Sequence, residues 1–266
     1  MEPCSGRAEF QKEMDFAGSK LMNRNTFIVL ALITLGLLSW GLYEALIAAP
    51  TEATMGNVQR IFYYHFPSAM TAFLMFFINL IASIWYLARR KSPGGARAAD
   101  ALAVTAAEVG VVFCSVVLVT GPLWAKIAWG IWWTWDARLT LTLVLWLIYL
   151  SYLLLRRYSS GDQTAVMAAT LAIFAFLDVP INYMAIRWWR TQHPAPVFAG
   201  GQGSGIDPAM WKAVWVNWLA FTCFAFLVCW IRYKLERMRQ NIDEQAALRS
   251  VAGLPTDRTI SRQEVR

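Results

Sequence analysis

The chain has 266 residues, of which 58% are hydrophobic and 15% are charged, and its mean hydropathy is +0.42. Soluble domains carry about 25% charged residues, so this composition excludes a soluble globular protein, a disordered chain and a disulfide-rich scaffold. The net charge of +7 comes from basic residues that flank apolar segments, which indicates membrane orientation rather than a nucleic-acid partner. We therefore predict an all-α integral membrane protein.

Six apolar segments are long enough to cross a bilayer of about 30 Å. We predict transmembrane helices at residues 26–49, 66–88, 101–123, 139–155, 164–185 and 211–231. Residues 1–25 lack the short apolar core of a cleavable signal peptide, so we expect a polar N-terminal segment and a retained first helix. The prediction has three parts: the N-terminal segment 1–25, the membrane domain 26–231, and a tail at 232–266 that begins as a charged extension of the last helix.

The distribution of basic residues predicts the orientation of the helices. If the N-terminus lies inside, 18 of the 24 Lys and Arg residues fall in cytoplasmic segments and six fall outside. Because Lys and Arg concentrate in cytoplasmic loops, we expect both termini to lie in the cytoplasm of a cell with a bacterial-type inner membrane.

Tryptophan is concentrated on the predicted outer side. Of the three outer loops, the first, at residues 50–65, holds none, whereas those at 124–138 and 186–210 hold five and two. The second of these loops, here called the tryptophan motif, holds five indoles: Trp124, Trp129, Trp132, Trp133 and Trp135. A general aromatic belt would decorate both interfaces, but the predicted inner loops contain no tryptophan. Indole offers a flat apolar face and one N–H donor, which suits a large aromatic disc with polar edges. We therefore predict a site for a planar ligand.

Two charged residues end the tryptophan motif, Asp136 and Arg138. One interpretation is a local ion pair or a helix cap. The other is a functional role, in which they position the loop or contact the carboxylates of the ligand and a partner protein.

The chain contains two histidines, His65 and His193, and both fall on the predicted outer side. A single histidine near a membrane interface is most often an ordinary polar residue. Here both histidines of the chain lie on the side that is rich in tryptophan. Neutral imidazole is a standard axial ligand of haem iron. We expect His65 just before the second helix, with Pro67 in the first turn, and His193 in an extended segment before Pro194.

Other polar residues give weaker signals. Asp178 and Glu108 fall within predicted helices without a predicted basic partner, which favours a packing role or a protonated carboxyl. Pro180 is expected to kink the fifth helix, Glu44 to be interfacial, and residues 199–205 to form a linker. The cysteines are interpreted as small apolar side chains: Cys4, Cys114, Cys223 and Cys229.

No nucleophile–base pair, carboxylate cluster or Walker motif is present. We therefore predict no catalytic residues and a protein that is not an enzyme. The histidines and the tryptophan motif favour a protein that binds haem and transfers it. Two alternatives to this function stay open. A small-molecule permease should have polar residues or broken helices near the middle of the membrane, and a di-haem electron-transfer subunit should have more histidines.

Three segments resemble one family. WGIWWTWDARLT, preceded by GPLWAK, resembles the WWD motif of haem-handling membrane proteins, and among these the cytochrome c maturation protein C family, also called haem exporter protein C. IFYYHFPSAM around His65 and VPINYMAIRWWRTQHP around His193 resemble the segments that supply that family's two outer-face histidines. The resemblance spans about residues 55–221.

This resemblance implies a protein that binds haem b on the periplasmic face of the inner membrane, with His65 and His193 as the ligands of the haem iron. It implies delivery to a periplasmic haem chaperone within an ABC-type complex that also contains an ATPase, its membrane subunit and a small membrane peptide. Asn182 stands where some relatives have a further histidine, which leaves the two-ligand arrangement intact. The implied platform for haem and chaperone is Trp124, Trp129, Trp132, Trp133, Trp135, Asp136 and Arg138.

Overall fold

A computed structural model describes residues 24–159, 161–194 and 206–251. Throughout these ranges the regular structure is helical, and six helical segments are long and apolar enough to cross a membrane. The predicted all-α fold with six spans is confirmed. Most of the N-terminal segment 1–25, the linker at 199–205, Cys4 and the end of the tail lie outside the described residues.

The spans are built from helices α1 to α7, and the fifth span consists of two of them. Their bounds are α1 Arg24–Tyr43, α2 Phe62–Arg89, α3 Pro93–Trp129, α4 Ala137–Tyr158, α5 Asp162–Phe176, α6 Asp178–Trp188 and α7 Trp211–Val251. A π-helical turn, Glu44–Ala48, continues α1. Short 3-10 turns, Asn57–Ile61 and Pro208–Met210, lead into α2 and α7.

Helix α2 begins earlier than predicted, so His65 lies in its first turn and not in the loop before it. Phe62 and Tyr63 are buried against the end of the first span and the start of α7, and this tertiary packing extends the helix toward the N-terminus. Pro67 is consequently inside the helix rather than at its start, which corrects the predicted position of its ring.

The predicted loop at residues 124–138 is also shorter in the structure. Helix α3 continues through Trp129 and ends at Gly130, whose φ of 77° is the left-handed conformation that closes many helices. Helix α4 begins at Ala137 because Asp136 caps it, so Arg138 is helical. The irregular part of the tryptophan motif is therefore residues 130–136.

The fifth span is interrupted between α5 and α6 at Leu177. Pro180 lacks the N–H that would bond to the carbonyl of Phe176, and its ring crowds that carbonyl. The proline therefore separates the span into two helices, in agreement with the predicted kink.

The main core lies where α2 and α3 approach each other closely. Phe76 stacks on Tyr149 of α4 with ring centroids 3.8 Å apart. A Cβ atom at Gly110 would lie 2.5 Å from the Phe76 ring, so only glycine allows this approach. Cys114 and Cys229 are buried and Cys223 is half-buried, all as free thiols, so two of the three described cysteines are buried as predicted.

Ion pairs join the helices, and one of them corrects a sequence-based expectation. Glu108 on α3 accepts two hydrogen bonds of 2.7 Å from Arg232 on α7, so it has the basic partner that the sequence did not reveal. Glu44, in the last turns of the first span, is buried within the protein and pairs with Lys212 at 2.7 Å. The contact between Glu108 and Arg232 holds α7 against α3. Beyond Arg232, α7 continues to Val251 as the predicted charged extension of the last helix.

Candidate functional site

A cleft opens between α2, α3, α4 and the segment that follows α6. The space between its walls, including the open mouth, is about 940 Å³. Both histidines line this cleft, although 128 residues separate them in the chain. The members of the tryptophan motif that line it are Trp124, Trp129, Trp133 and Arg138.

His65 is held against α3 through one ring nitrogen. Its Nδ1 lies 2.9 Å from the hydroxyl oxygen of Thr120, and its ring meets the edge of Trp124 with centroids 6.0 Å apart. Because α2 and α3 pack tightly, these contacts fix the plane of the imidazole. They leave Nε2 as the nitrogen for a ligand.

His193 lies in the non-helical segment after α6, as predicted. Its Nδ1 is 2.9 Å from the Pro194 carbonyl oxygen. A carbonyl can only accept, so Nδ1 carries the proton and Nε2 has the lone pair. Burial lowers the pKa of His193 to about 4, and the positive charge of Arg138 acts in the same direction. The imidazole is therefore neutral near pH 7, which is the form that binds a metal.

Asp136 fastens the segment that carries His193 to the start of α4. One carboxylate oxygen accepts from the Leu139 N–H at 3.0 Å, and the other accepts from the Thr134 hydroxyl at 3.0 Å and the Gln192 N–H at 3.3 Å. Burial by itself would raise the pKa of Asp136, but these bonds and one from Thr191 lower it. The carboxylate thus stays ionised at neutral pH, and Asp136 supports the cleft without lining it.

Arg138 supplies positive charge to the cleft wall. Its Nη1 donates to the backbone carbonyl of Asn182 on α6. The side chain of Asn182 is buried and donates to the Thr142 hydroxyl at 3.0 Å. Asn182 therefore packs α6 against α4 and holds Arg138 in place.

The tryptophans predicted as one platform form two groups in the structure. Trp133 lines the cleft, and its buried Nε1–H has no hydrogen-bond partner among the described residues, so it is available to a polar edge of a ligand. Trp132 and Trp135 do not line the cleft and are 55% and 76% exposed. Trp135 nevertheless touches Trp133, edge to face, with centroids 5.8 Å apart.

The donor set of the cleft fits haem iron better than a bare metal ion. Within residues 24–159, 161–194 and 206–251, no three His, Cys, Asp or Glu side chains are grouped as a bare ion would need. Haem iron takes its equatorial nitrogens from the porphyrin, and the protein supplies the axial ligands. The two imidazoles that line this aromatic cleft meet that requirement.

Comparison with known proteins gives the family. A family model described as Heme exporter protein C matches residues 14–248. The chain belongs to the heme exporter protein C family. It is 35% identical over 195 residues to the Heme exporter protein C of Bradyrhizobium diazoefficiens, covering 73% of this chain and 72% of the relative. It is 31% identical over 227 residues to that of Haemophilus influenzae, covering 82% and 85%. A putative cytochrome c biosynthesis ccmC-like mitochondrial protein of Marchantia polymorpha is 32% identical over 191 residues, covering 72% and 78%.

Membership confirms the resemblance seen in the sequence. The chain is a multi-span membrane protein and a heme exporter protein of cytochrome c biogenesis, and it is therefore a protein that handles haem. The relatives include both bacterial and mitochondrial proteins.

Several residues of this family member line or support the cleft without having been predicted from the sequence. Thr120 and Gly121 precede Trp124 by four and three residues on α3, a spacing that places them on one helical face, so periodicity could have found them. Met55 comes from a turn built on Glu52 and accepts from Trp124 Nε1 through its sulfur at 3.4 Å. Its contribution had no signal in the sequence. Three further lining residues are Ala69, Cys114 and Thr142.

Proposed function

We propose that this member of the heme exporter protein C family binds one haem b in the cleft, with His65 and His193 as axial ligands, and delivers it to a periplasmic haem chaperone. The observation that carries the proposal is that the only two histidines of the chain line one cleft together with three tryptophans. Two imidazoles in one aromatic cleft are suited to supply both axial ligands of the iron of a flat macrocycle.

The remaining lining residues account for the rest of the haem molecule. Trp124, Trp129 and Trp133 offer indole faces and edges to the porphyrin ring. Removing apolar surface from water is worth about 25 cal/mol per Å², which amounts to several kcal/mol for a large disc. The guanidinium of Arg138 is suited to a propionate carboxylate, because an arginine fork matches carboxylate geometry.

The protein acts by holding and releasing haem, without a covalent change and without enzymatic activity. His65 is part of a helix, whereas His193 lies on an irregular segment that Asp136 ties to α4. Release therefore begins at His193, because an irregular segment can move without unwinding a helix. The haem stays bound to His65 until the chaperone takes it.

The partner surface comprises the exposed indoles of the tryptophan motif. Trp132 and Trp135 are exposed in the same segment as Trp133, which lines the cleft, and tryptophans are enriched among residues that dominate protein interfaces. We propose that the haem chaperone docks there. We also propose that the protein works in an ABC-type complex with an ATPase, its membrane subunit and a small membrane peptide. The sequence contains no Walker motif, so ATP hydrolysis in such a complex belongs to the ATPase.

The proposed orientation has the N-terminus and α7 extension in the cytoplasm of a cell with a bacterial-type inner membrane. We expect reporters fused after Arg97 and Arg157 to lie in the cytoplasm and reporters fused after Arg190 to lie in the periplasm. In this orientation 18 of the 24 basic residues lie inside. Alkaline phosphatase and fluorescent-protein fusions measure this. If alkaline phosphatase fused after Arg157 were active, Arg157 would lie in the periplasm. The cleft would then face the cytoplasm, and the proposed orientation would be wrong.

The function is tested by purifying the full chain in detergent, adding haem, and recording absorption spectra before and after reduction. We expect a Soret band and, on reduction, resolved α and β bands. Mixing with the purified chaperone is expected to transfer haem, measured by separating the two proteins and quantifying haem in each. A chain that stays colourless with excess haem would favour the permease alternative instead.

A further inference from the structure

We infer that Thr120 is a positioning residue that selects the tautomer of His65, placing the ring proton on Nδ1 and the lone pair on Nε2. The inference deepens the proposed function, because it assigns the residue that prepares His65 as a ligand. It rests on three groups that lie close together: the His65 ring, the Thr120 hydroxyl, and a backbone carbonyl of α3.

The hydroxyl of Thr120 has a single proton, and the structure directs that proton into the helix. Thr120 Oγ1 lies 2.7 Å from the carbonyl oxygen of Val116, one turn earlier, and the next carbonyl, that of Val117, is at 3.5 Å. Both carbonyls can only accept, so the hydroxyl donates to Val116. Threonine commonly makes this bond within a helix.

With its proton used, the Thr120 oxygen can only accept from His65. The Nδ1 atom of His65 is 2.9 Å away, so Nδ1 must be the donor and must carry the ring proton. The neutral ring has one proton, which leaves the lone pair on Nε2. Because this hydroxyl is bonded to the carbonyl one turn earlier in α3, the Thr120 side chain is held in one rotamer, and the acceptor stays in place.

The same tautomer is imposed on the other histidine by a different acceptor. His193 Nδ1 donates to the Pro194 carbonyl at 2.9 Å. Both rings that line the cleft therefore offer Nε2, although one is fixed by a side chain and the other by the backbone. A ring with the opposite tautomer would present an N–H to a metal and could not ligate it.

Hydrogen-bond partners of metal-binding histidines fix the ring and raise its basicity, and their loss usually weakens metal binding 10- to 100-fold. Because the Thr120 hydroxyl is a neutral acceptor, we expect its removal to weaken haem binding by about tenfold, the lower end of this range.

The tautomer can be read directly in the haem-free protein. The full chain, labelled with ¹⁵N-histidine, contains two imidazoles, and a sample carrying His193→Ala assigns the signals of His65. We expect His65 to show a protonated Nδ1 and an unprotonated Nε2 in the wild-type protein and in Thr120→Ser. In Thr120→Val the two tautomers should become mixed, because the acceptor is gone.

A matched control is Thr105→Val, which removes another hydroxyl bonded to a carbonyl of α3, that of Ala101 at 2.6 Å, but leaves His65 untouched. It should retain the wild-type tautomer. Two outcomes would overturn the inference. One is a wild-type His65 with its proton on Nε2, which can be seen even if Thr120→Val fails to fold. The other is an unchanged tautomer in a folded Thr120→Val variant. The measurement needs no haem, so the two proposals can fail separately. If the chain never bound haem but His65 had the expected tautomer, the proposed function would be refuted and the inference about Thr120 would stand.

Discussion

Replacing both His65 and His193 with alanine is expected to abolish stable haem binding, whereas each single replacement should weaken it by at least about 100-fold, beyond what loss of a supporting hydrogen bond costs. Both rings line the same cleft, and no other histidine in the chain can substitute for them. Haem titrations of the purified variants, followed by absorption and by resonance Raman spectra, measure the affinity and the ligation state.

The single variants carry their own control, because alanine leaves a space that fits free imidazole. Added imidazole should restore part of the wild-type spectrum in His65→Ala and in His193→Ala, but it should restore little in the double variant. If the double variant retained the haem content and spectrum of the wild type, histidine ligation would be excluded. Met55, which also lines the cleft, would then be the first alternative ligand to replace.

The six spans could be predicted because hydropathy over about 20 residues reflects the thickness of the bilayer. The ends of the helices could not, since they depend on caps and on tertiary packing. Phe62 and Tyr63 extend α2 through their contacts with distant parts of the chain, and Gly130 ends α3 in a conformation that no spacing rule required. The pairing of Glu108 with Arg232 was missed for the same reason, because 124 residues separate them.

What the sequence predicts of the site is its chemistry and not its arrangement. The two histidines and the tryptophan motif indicate a planar ligand, and the resemblance to the family indicates that this ligand is haem. Whether an indole faces the cleft depends on the residue at which α3 ends, so the division between Trp133 and Trp135 is visible only in the structure. The role of Thr120 depends on the register between α2 and α3, which the sequence of either helix does not contain.

That division predicts that haem binding and haem delivery can be separated within one short loop. Replacing Trp133 with alanine should weaken haem binding by about 10- to 100-fold, because it removes an apolar wall worth about 1.5–3 kcal/mol. Replacing Trp135 should leave haem affinity within about threefold of the wild type but reduce transfer to the chaperone by at least about tenfold, as expected for an exposed anchor residue.

The comparison is well matched because the two indoles are neighbours in the same segment, with centroids 5.8 Å apart, and differ in what they face. Trp85, which is 42% exposed near the far end of α2, controls for the loss of an exposed indole and should affect neither measurement when replaced with alanine. Haem titration gives the first quantity, and stopped-flow transfer to the purified chaperone gives the second. Equal losses of affinity in the Trp133 and Trp135 variants would mean that the motif acts as one undivided platform, and that the exposed indoles reach the haem themselves.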